Sequence, residues 1–296
     1  MTKTRFDAYQ AITDAVVQRL ESGVAPWRQP WTSAGLPVSL GSGKAYRGIN
    51  VFLLHTQALS AGYRRPEWGT YKAITEKGGQ VRKGERGTLI VFFSPVVDKD
   101  KLDAQGKPRR YFILRSYKVF NAEQADGLDL PELPTSAQHS PVEAAELVAK
   151  GYLGRDGAPS LTLGGSEAYY LPKVDAIHVP VLADHRGPAE YYSTLFHEIG
   201  HSTGHESRLN RPGVAAHTHF GDARYSREEL VAELTSAMLA GHAGISPEVI
   251  DNQAAYLASW VRVLRGDSKL VVQAAAAAQR ASDLVLGVSW GEGDDQ

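Results

Sequence analysis

The stretch "TLFHEIGHSTGHESRLNR", residues 194–211, carries three histidines and two glutamates between His197 and Ser207. Its centre, His197-Glu198-Ile199-Gly200-His201, is an H-E-x-x-H pattern. Residues four apart on a helix share one face, so two imidazoles at this spacing can close on one cation. The glutamate between them projects alongside and is placed to act as general base on a metal-bound water. The preceding "YYSTLF" (191–196) supplies apolar residues for the buried side of such a helix. A catalytic site of this kind still needs a third protein ligand and an open position.

His205 lies four residues past His201 and would stack on the same face if the helix ran on. Gly204 stands where a left-handed cap would end it, which would take His205 out of line. The third histidine of the H-E-x-x-H-x-x-G-x-x-H pattern would fall at 207, and that residue is Ser207. The remaining candidate is Glu229, in "SREELVAELTSAML" (226–239), where Ser226 and Glu229 form a capping-box pattern. Glu229 and Glu233 share a helix face, an arrangement in which one carboxylate ligates and the other orients a ligand histidine. The same spacing also suits a solvated helix face. The reading adopted is His197, His201 and Glu229 as ligands, Glu198 as base, Glu233 as the orienting carboxylate and His205 as the alternative ligand. Glu228 is set aside because it faces away from Glu233. Two imidazoles and a carboxylate suit Zn2+, with Mn2+ or Co2+ also accepted.

The 296 residues contain no cysteine, which removes disulfides, thiolate ligands and thiol nucleophiles and agrees with a cytoplasmic home. No window approaches the ~18 apolar residues needed to span a bilayer, and the N-terminal residues lack the apolar core of a secretory signal. Net charge is −1, but residues 1–130 hold 20 Lys+Arg against 12 Asp+Glu and the remainder 12 against 21. A split of about +8 and −9 suggests two units with different partners, the first suited to a polyanion.

Hydrophobic periodicity predicts helices over 5–22, 48–63 and 70–79, and strands over 87–96 and 109–120 joined by a polar connection. The segment 121–141, rich in Asp, Pro and Ser, reads as a linker. Beyond it the pattern predicts a helix from Pro141 and short strands at 168–172 and 175–182. Helices are then predicted from about Ala189 and over 226–244, 247–265 and 268–286. The boundaries adopted are 1–125, a linker over 126–140, and 141–296: an α+β chain, its second unit mainly helical with a small sheet.

Cations and rings alternate through the basic half. Lys44, Arg47, Arg64, Arg65, Trp68, Tyr71, Lys72, Arg82, Lys83 and Arg86 are the candidate contacts to single-stranded DNA. Lys and Arg neutralise phosphates, and rings stack on unpaired bases. Trp27 and Trp31 flank Arg28, and "RRYFILRSYKVF" (109–120) interleaves rings and cations in the same way. No helix-turn-helix or basic-helix pattern for duplex DNA is present.

The strings "YQAITDAVVQRLESGVAPWRQPW", "AYRGINVFLL", "WGTYKAITEKGGQVRKGERGTLIVFF" and "SYKVFNAEQ" carry a resemblance over the first half. In the second half it rests on "IHVP", "YYSTLFHEIGHSTGHESRLNR" and "YSREELVAELTSAML". Over nearly its whole length the chain resembles the ArdC-type antirestriction proteins of conjugative plasmids. The resemblance implies an N-terminal single-stranded-DNA-binding domain, also found at the start of some plasmid primases, and a C-terminal zincin-like metallopeptidase domain, to which the Glu229/Glu233 pair aimed at a two-histidine helix adds the gluzincin arrangement. It implies protection of incoming DNA from host restriction during conjugation. A joint reading follows: the first domain tethers the protein to entering DNA and the second acts on a protein there, a host restriction-system protein being the candidate substrate. It places the metal motif on His197, Glu198 and His201, with the downstream acidic ligand at Glu229. The alternative is a DNA-shielding protein whose metal site is structural.

Overall fold

Asp7 starts the first helix by accepting from the N–H groups of Tyr9 and Gln10, and α1 (Ala8–Glu21) then buries Ile12, Val16, Val17 and Leu20 on one stripe. The computed structural model describes residues 6–31, 35–102, 106, 108–133, 140–215, 223–245 and 254–289. After α1, a short 3-10 turn at Pro26–Arg28 leads through β1 (Val38–Ser39) to α2 (Ile49–Ala61). Then follow β2 (Glu67–Gly69), α3 (Tyr71–Glu76), β3 (Gln80–Val81) and a long hairpin of β4 (Thr88–Leu102) and β5 (Pro108–Asn121). The first sheet has the order β1-β2-β5-β4.

Both hairpin strands outrun the predicted ones, so residues 99–102 and 108 are strand rather than connection; residues 103–105 and 107 lie outside the described set. The register pairs Ile90 with Tyr117, Phe93 with Leu114 and Pro95 with Phe112. Leu89, Val91, Phe93 and Pro95 therefore share a face with Leu114 and Phe112. The start of the expected linker is structured. Asn121 and Gln124 cap a 3-10 turn reciprocally, and β6 (Ala125–Asp126) pairs with β3. Of the remainder of that segment, residues 134–139 lie outside the described set.

The second half opens with α4 (Pro141–Leu153), capped by Ser140. A small sheet follows, made of β7 (Ser160–Leu163), β8 (Tyr169–Leu171) and β9 (Ala176–Val179) in the order β7-β9-β8. Next come α5 (Pro188–Ser202), α6 (Pro212–Ala215), α7 (Ala223–Ala243), α8 (Ala254–Gly266) and α9 (Leu270–Leu286). Because α7 starts at Ala223, Ser226 falls inside its first turn and is not its cap.

The largest core does not follow the charge boundary. Ile12, Val16 and Leu20 of α1 and Phe52 of α2 pack with Leu234 of α7, Trp260 of α8 and Val271 of α9. Each such side chain contributes about 1.5–3 kcal/mol through burial. Ala274, Ala275 and Ala278 are fully buried, so the alanine run of α9 serves close packing. A second core joins α4, α5 and the small sheet through Tyr152, Ile177 and Phe196, and reaches Leu239 of α7. Helix α7 thus touches both cores and packs closely along α5.

Candidate metal centre

Helix α5 presents His197 and His201 to α7, where Glu229 faces them. His197 Nε2 lies 3.1 Å from His201 Nε2. Glu229 places Oε1 3.4 Å from His201 Nε2 and Oε2 3.6 Å from His197 Nε2. Ligand atoms bonded to one tetrahedral ion at about 2.0–2.1 Å stand about 3.4 Å apart. The observed triangle brackets that spacing, so the donor set fits a small divalent cation. Among the described residues, these three are the only such group within 4.8 Å of one another.

The approach of the two helices depends on Gly200. A Cβ there would stand 3.1 Å from Ala232 Cα and 3.3 Å from Ala232 O, so a side chain would hold α7 away. Glu198 is 6 % exposed. Burial raises its pKa above the ordinary carboxylate value, while the two histidines lower it. Burial also opposes charge on Glu229, but its contacts with His197 and His201 hold its carboxyl well below the usual range. Burial likewise opposes charge on His201, but Glu228 and Glu229 raise its pKa to about 10. The pocket therefore favours positive charge between its carboxylates.

The two neighbouring glutamates exchange the parts expected of them. Glu228 is buried, with Oε1 3.5 Å from His201 Nδ1. Arg211 donates to it through Nε at 3.0 Å and Nη2 at 2.6 Å. Glu228 and Glu229 thus address opposite nitrogens of one ring, since one helical step swings a side chain by about 100°. Glu233, the expected orienting carboxylate, meets no histidine among the described residues. It accepts from Arg28 Nη2 at 2.6 Å and from the Tyr256 hydroxyl at 3.0 Å.

His205 lies outside the triangle. Helix α5 ends with Thr203 as its cap, and His205 turns back to Ser207 Oγ at 2.8 Å. Gly204 is absent from the positive-φ residues. Its role is close packing: a Cβ would meet Val214 Cγ2 at 2.4 Å.

A cleft of about 440 Å3 opens beside the triangle, lined in part by Trp27, Arg28, Trp31 and Tyr256. Trp27 Nε1 donates to the Tyr256 hydroxyl at 2.9 Å, and the Arg28 guanidinium lies 3.8 Å over the Tyr256 ring. Trp31 Nε1 donates to the Ala237 carbonyl at 2.9 Å. The "PWRQPW" segment is therefore a wall of the metal cleft. Its aromatic pattern was visible in the sequence, but its distant partners carried no local signal.

The expected DNA contacts divide between buried, paired and exposed positions. Trp68 is 0 % exposed and packs edge-on to Tyr63, so it offers no ring face to a base. Arg65 pairs with Glu67, and Arg47 pairs with Asp283 of α9 at 2.6 Å. Tyr71, Arg82 and Lys83 line one shallow depression, where Arg82 is shared between Glu85 and Asp126. Lys72 is exposed beside Glu76. Lys44 is exposed. Arg64 and Arg86 are exposed beside the turn that also meets Arg65 and Arg82: the Arg64 N–H donates to Glu123 at 2.5 Å, Arg82 Nη2 donates to the Glu123 carbonyl, and Gln124 Nε2 donates to the Arg86 carbonyl at 3.1 Å.

Two elements define the class of protein: a helix-borne histidine pair facing a glutamate on a second helix, and an α+β unit packed against them. Residues 152–277 match the family described as zincin-like metallopeptidase, and residues 6–120 match the N-terminal domain of anti-restriction factor ArdC. The chain belongs to the ArdC antirestriction family. It is 38 % identical to the antirestriction ArdC protein of plasmid R388 in a metal-free crystal structure, covering 96 % of this chain and 98 % of that one with a TM-score of 0.75. The Mn(II)-bound structure of the R388 protein gives 39 % identity over the same shares and a TM-score of 0.74. An uncharacterised protein, y4eC, of Sinorhizobium fredii is 38 % identical over 95 % of this chain and 92 % of its own length. DNA primase TraC of Escherichia coli is 35 % identical over 97 % of this chain, which spans 28 % of the primase.

Proposed function

We propose that the chain is a metal-dependent peptidase that works beside single-stranded DNA and protects DNA entering by conjugation from restriction. The observation that carries the reading is the buried Glu198 carboxylate beside the His197–His201–Glu229 triangle, at the edge of a cleft. Those three residues would hold the cation, Zn2+ or Mn2+. Bound there, it would polarise a peptide carbonyl and acidify a water.

The chain's own groups do the rest. Glu198, with its affinity for a proton raised by burial, takes the proton of the attacking water and returns it to the leaving amide nitrogen. Glu228, tied to Arg211, fixes the rotation of the His201 ring. Trp27, Trp31 and Tyr256 exclude water from one side of the cleft and offer apolar surface to a peptide side chain. The protein cut would be one that meets the entering strand, such as a component of the host restriction system.

The excess of cations in residues 1–130 supports binding to a polyanion. Among the described residues no helix is long and apolar enough to cross a membrane. Comparing Glu198→Ala with wild type in a DNA-transfer assay tests the reading. Loss of protection with metal and DNA binding intact supports hydrolysis; full protection would overturn it in favour of a shielding protein with a structural metal.

A further inference from the structure

The outer half of the β4–β5 hairpin leaves two phenylalanines in solvent, Phe93 at 38 % and Phe112 at 61 % exposure. Phe93 stands opposite Leu114 and Phe112 opposite Pro95, so the two are diagonal neighbours on one face. Such neighbours are about 7–8 Å apart along the sheet. The same face begins as core: Val91 is buried and Leu114 packs against the cluster of α1 and α9. Further out, Phe93 and Phe112 continue that face without joining a buried cluster among the described residues.

The rings do not border open solvent on every side. They form one wall of a crevice of about 490 Å3, whose other wall is α9 with Ala276, Gln279 and Arg280. The floor is held firmly. Gly48 N–H donates to Gln279 Oε1 at 2.9 Å, Gln279 Nε2 donates to Asp283 at 3.0 Å, and Arg47 pairs with Asp283. The Asp283 charge is thus matched by Arg47. Arg280 is exposed and has no carboxylate partner among the described residues. Two exposed rings on one wall, facing an unmatched guanidinium on the other, suit an unpaired nucleobase and its phosphate. A duplex, whose bases are already stacked, offers nothing to such rings.

We infer that this crevice between the hairpin and α9 is the single-strand binding site, with Phe93 and Phe112 stacking on bases and Arg280 meeting a phosphate. The assignment rests on the single-strand reading above. It moves the site away from the corner around Tyr71 and Lys83, and it makes the last helix part of the DNA surface.

The experiment is fluorescence anisotropy of full-length protein with a labelled oligothymidylate and with a duplex of equal length. Phe112→Leu and Phe93→Leu should each weaken the oligothymidylate about tenfold and leave the duplex unchanged. Phe112→Tyr, which keeps the ring, should bind as wild type. Arg280→Gln should lower the slope of log affinity against log salt by about 0.7. Failure of wild type to bind the oligothymidylate would overturn the single-strand reading itself. Wild-type binding that all three ring and charge losses leave unaltered would overturn the crevice while that reading stands. Equal losses on single strand and duplex would also overturn the stacking assignment.

Discussion

Glu228 sits 3.5 Å from Nδ1 of His201, on the side of the ring opposite to the one that faces His197. The contact fixes the ring by its back nitrogen and leaves the front one for a cation. Arg211 holds the carboxylate in turn, and also donates to the Gly200 carbonyl at 2.8 Å and to Thr203 Oγ1 at 2.7 Å. One arginine thereby links the end of α5 to the start of α7.

Glu228→Gln keeps the shape of the side chain and removes its charge. Metal affinity, measured by competition with a chromophoric chelator, should fall about 10- to 100-fold. The Glu233→Gln variant should leave it within about twofold of wild type, because Glu233 answers to Arg28 and Tyr256. Equal effects of the two substitutions would contradict the assignment of Glu228.

Gly200→Ala tests whether the helix crossing sets the site. The added methyl meets Ala232 backbone atoms that cannot rotate away. Overpacking of this kind costs about 1–3 kcal/mol, and any parting of the helices carries Glu229 off the two histidines. The variant should unfold at a lower temperature and bind metal more weakly. Unchanged melting and unchanged affinity would show that α7 can be displaced without consequence.

His55 provides a pH test away from the metal. It is buried under Trp31, with ring centroids 4.2 Å apart, and its Nε2 donates to the Pro30 carbonyl at 3.1 Å. Burial lowers its pKa to about 4. The unfolded chain binds this proton near 6.5. The contribution is therefore fully present above pH 6.5 and is lost as pH falls toward 4, by about 1.4 kcal/mol per unit. Urea unfolding at pH 7 and pH 5 should show wild type losing about 2 kcal/mol more than His55→Leu over that interval. Parallel profiles for the two proteins would contradict it.

What the sequence made legible was local. The H-E-x-x-H spacing implies a helix with both imidazoles on one face, and α5 has it. Glu229 could be proposed from its helix alone. Which of its neighbours would reach a histidine could not, because helical phase gives a direction only relative to the helix. The crossing at Gly200 and Ala232 decides that direction, and it turned Glu228 toward His201 and Glu233 toward Arg28. The cluster Trp27-Arg28-Trp31 suggests a polyanion contact by its local pattern alone. Its partners lie 229 positions away at Tyr256 and 205 away at Glu233. Rings among cations suggest a surface for Trp68, whereas the first sheet buries it completely. Strand β7 went unrecognised because four residues with little burial give almost no periodic signal.

The central claim is that His197, His201 and Glu229 hold one divalent cation. Anomalous diffraction from crystals of this protein grown with Mn2+ measures it directly. The expected result is a single strong peak bonded to Nε2 of both histidines and to the Glu229 carboxylate. A peak bonded instead to His205 or Glu233, or no peak between α5 and α7, would contradict the account.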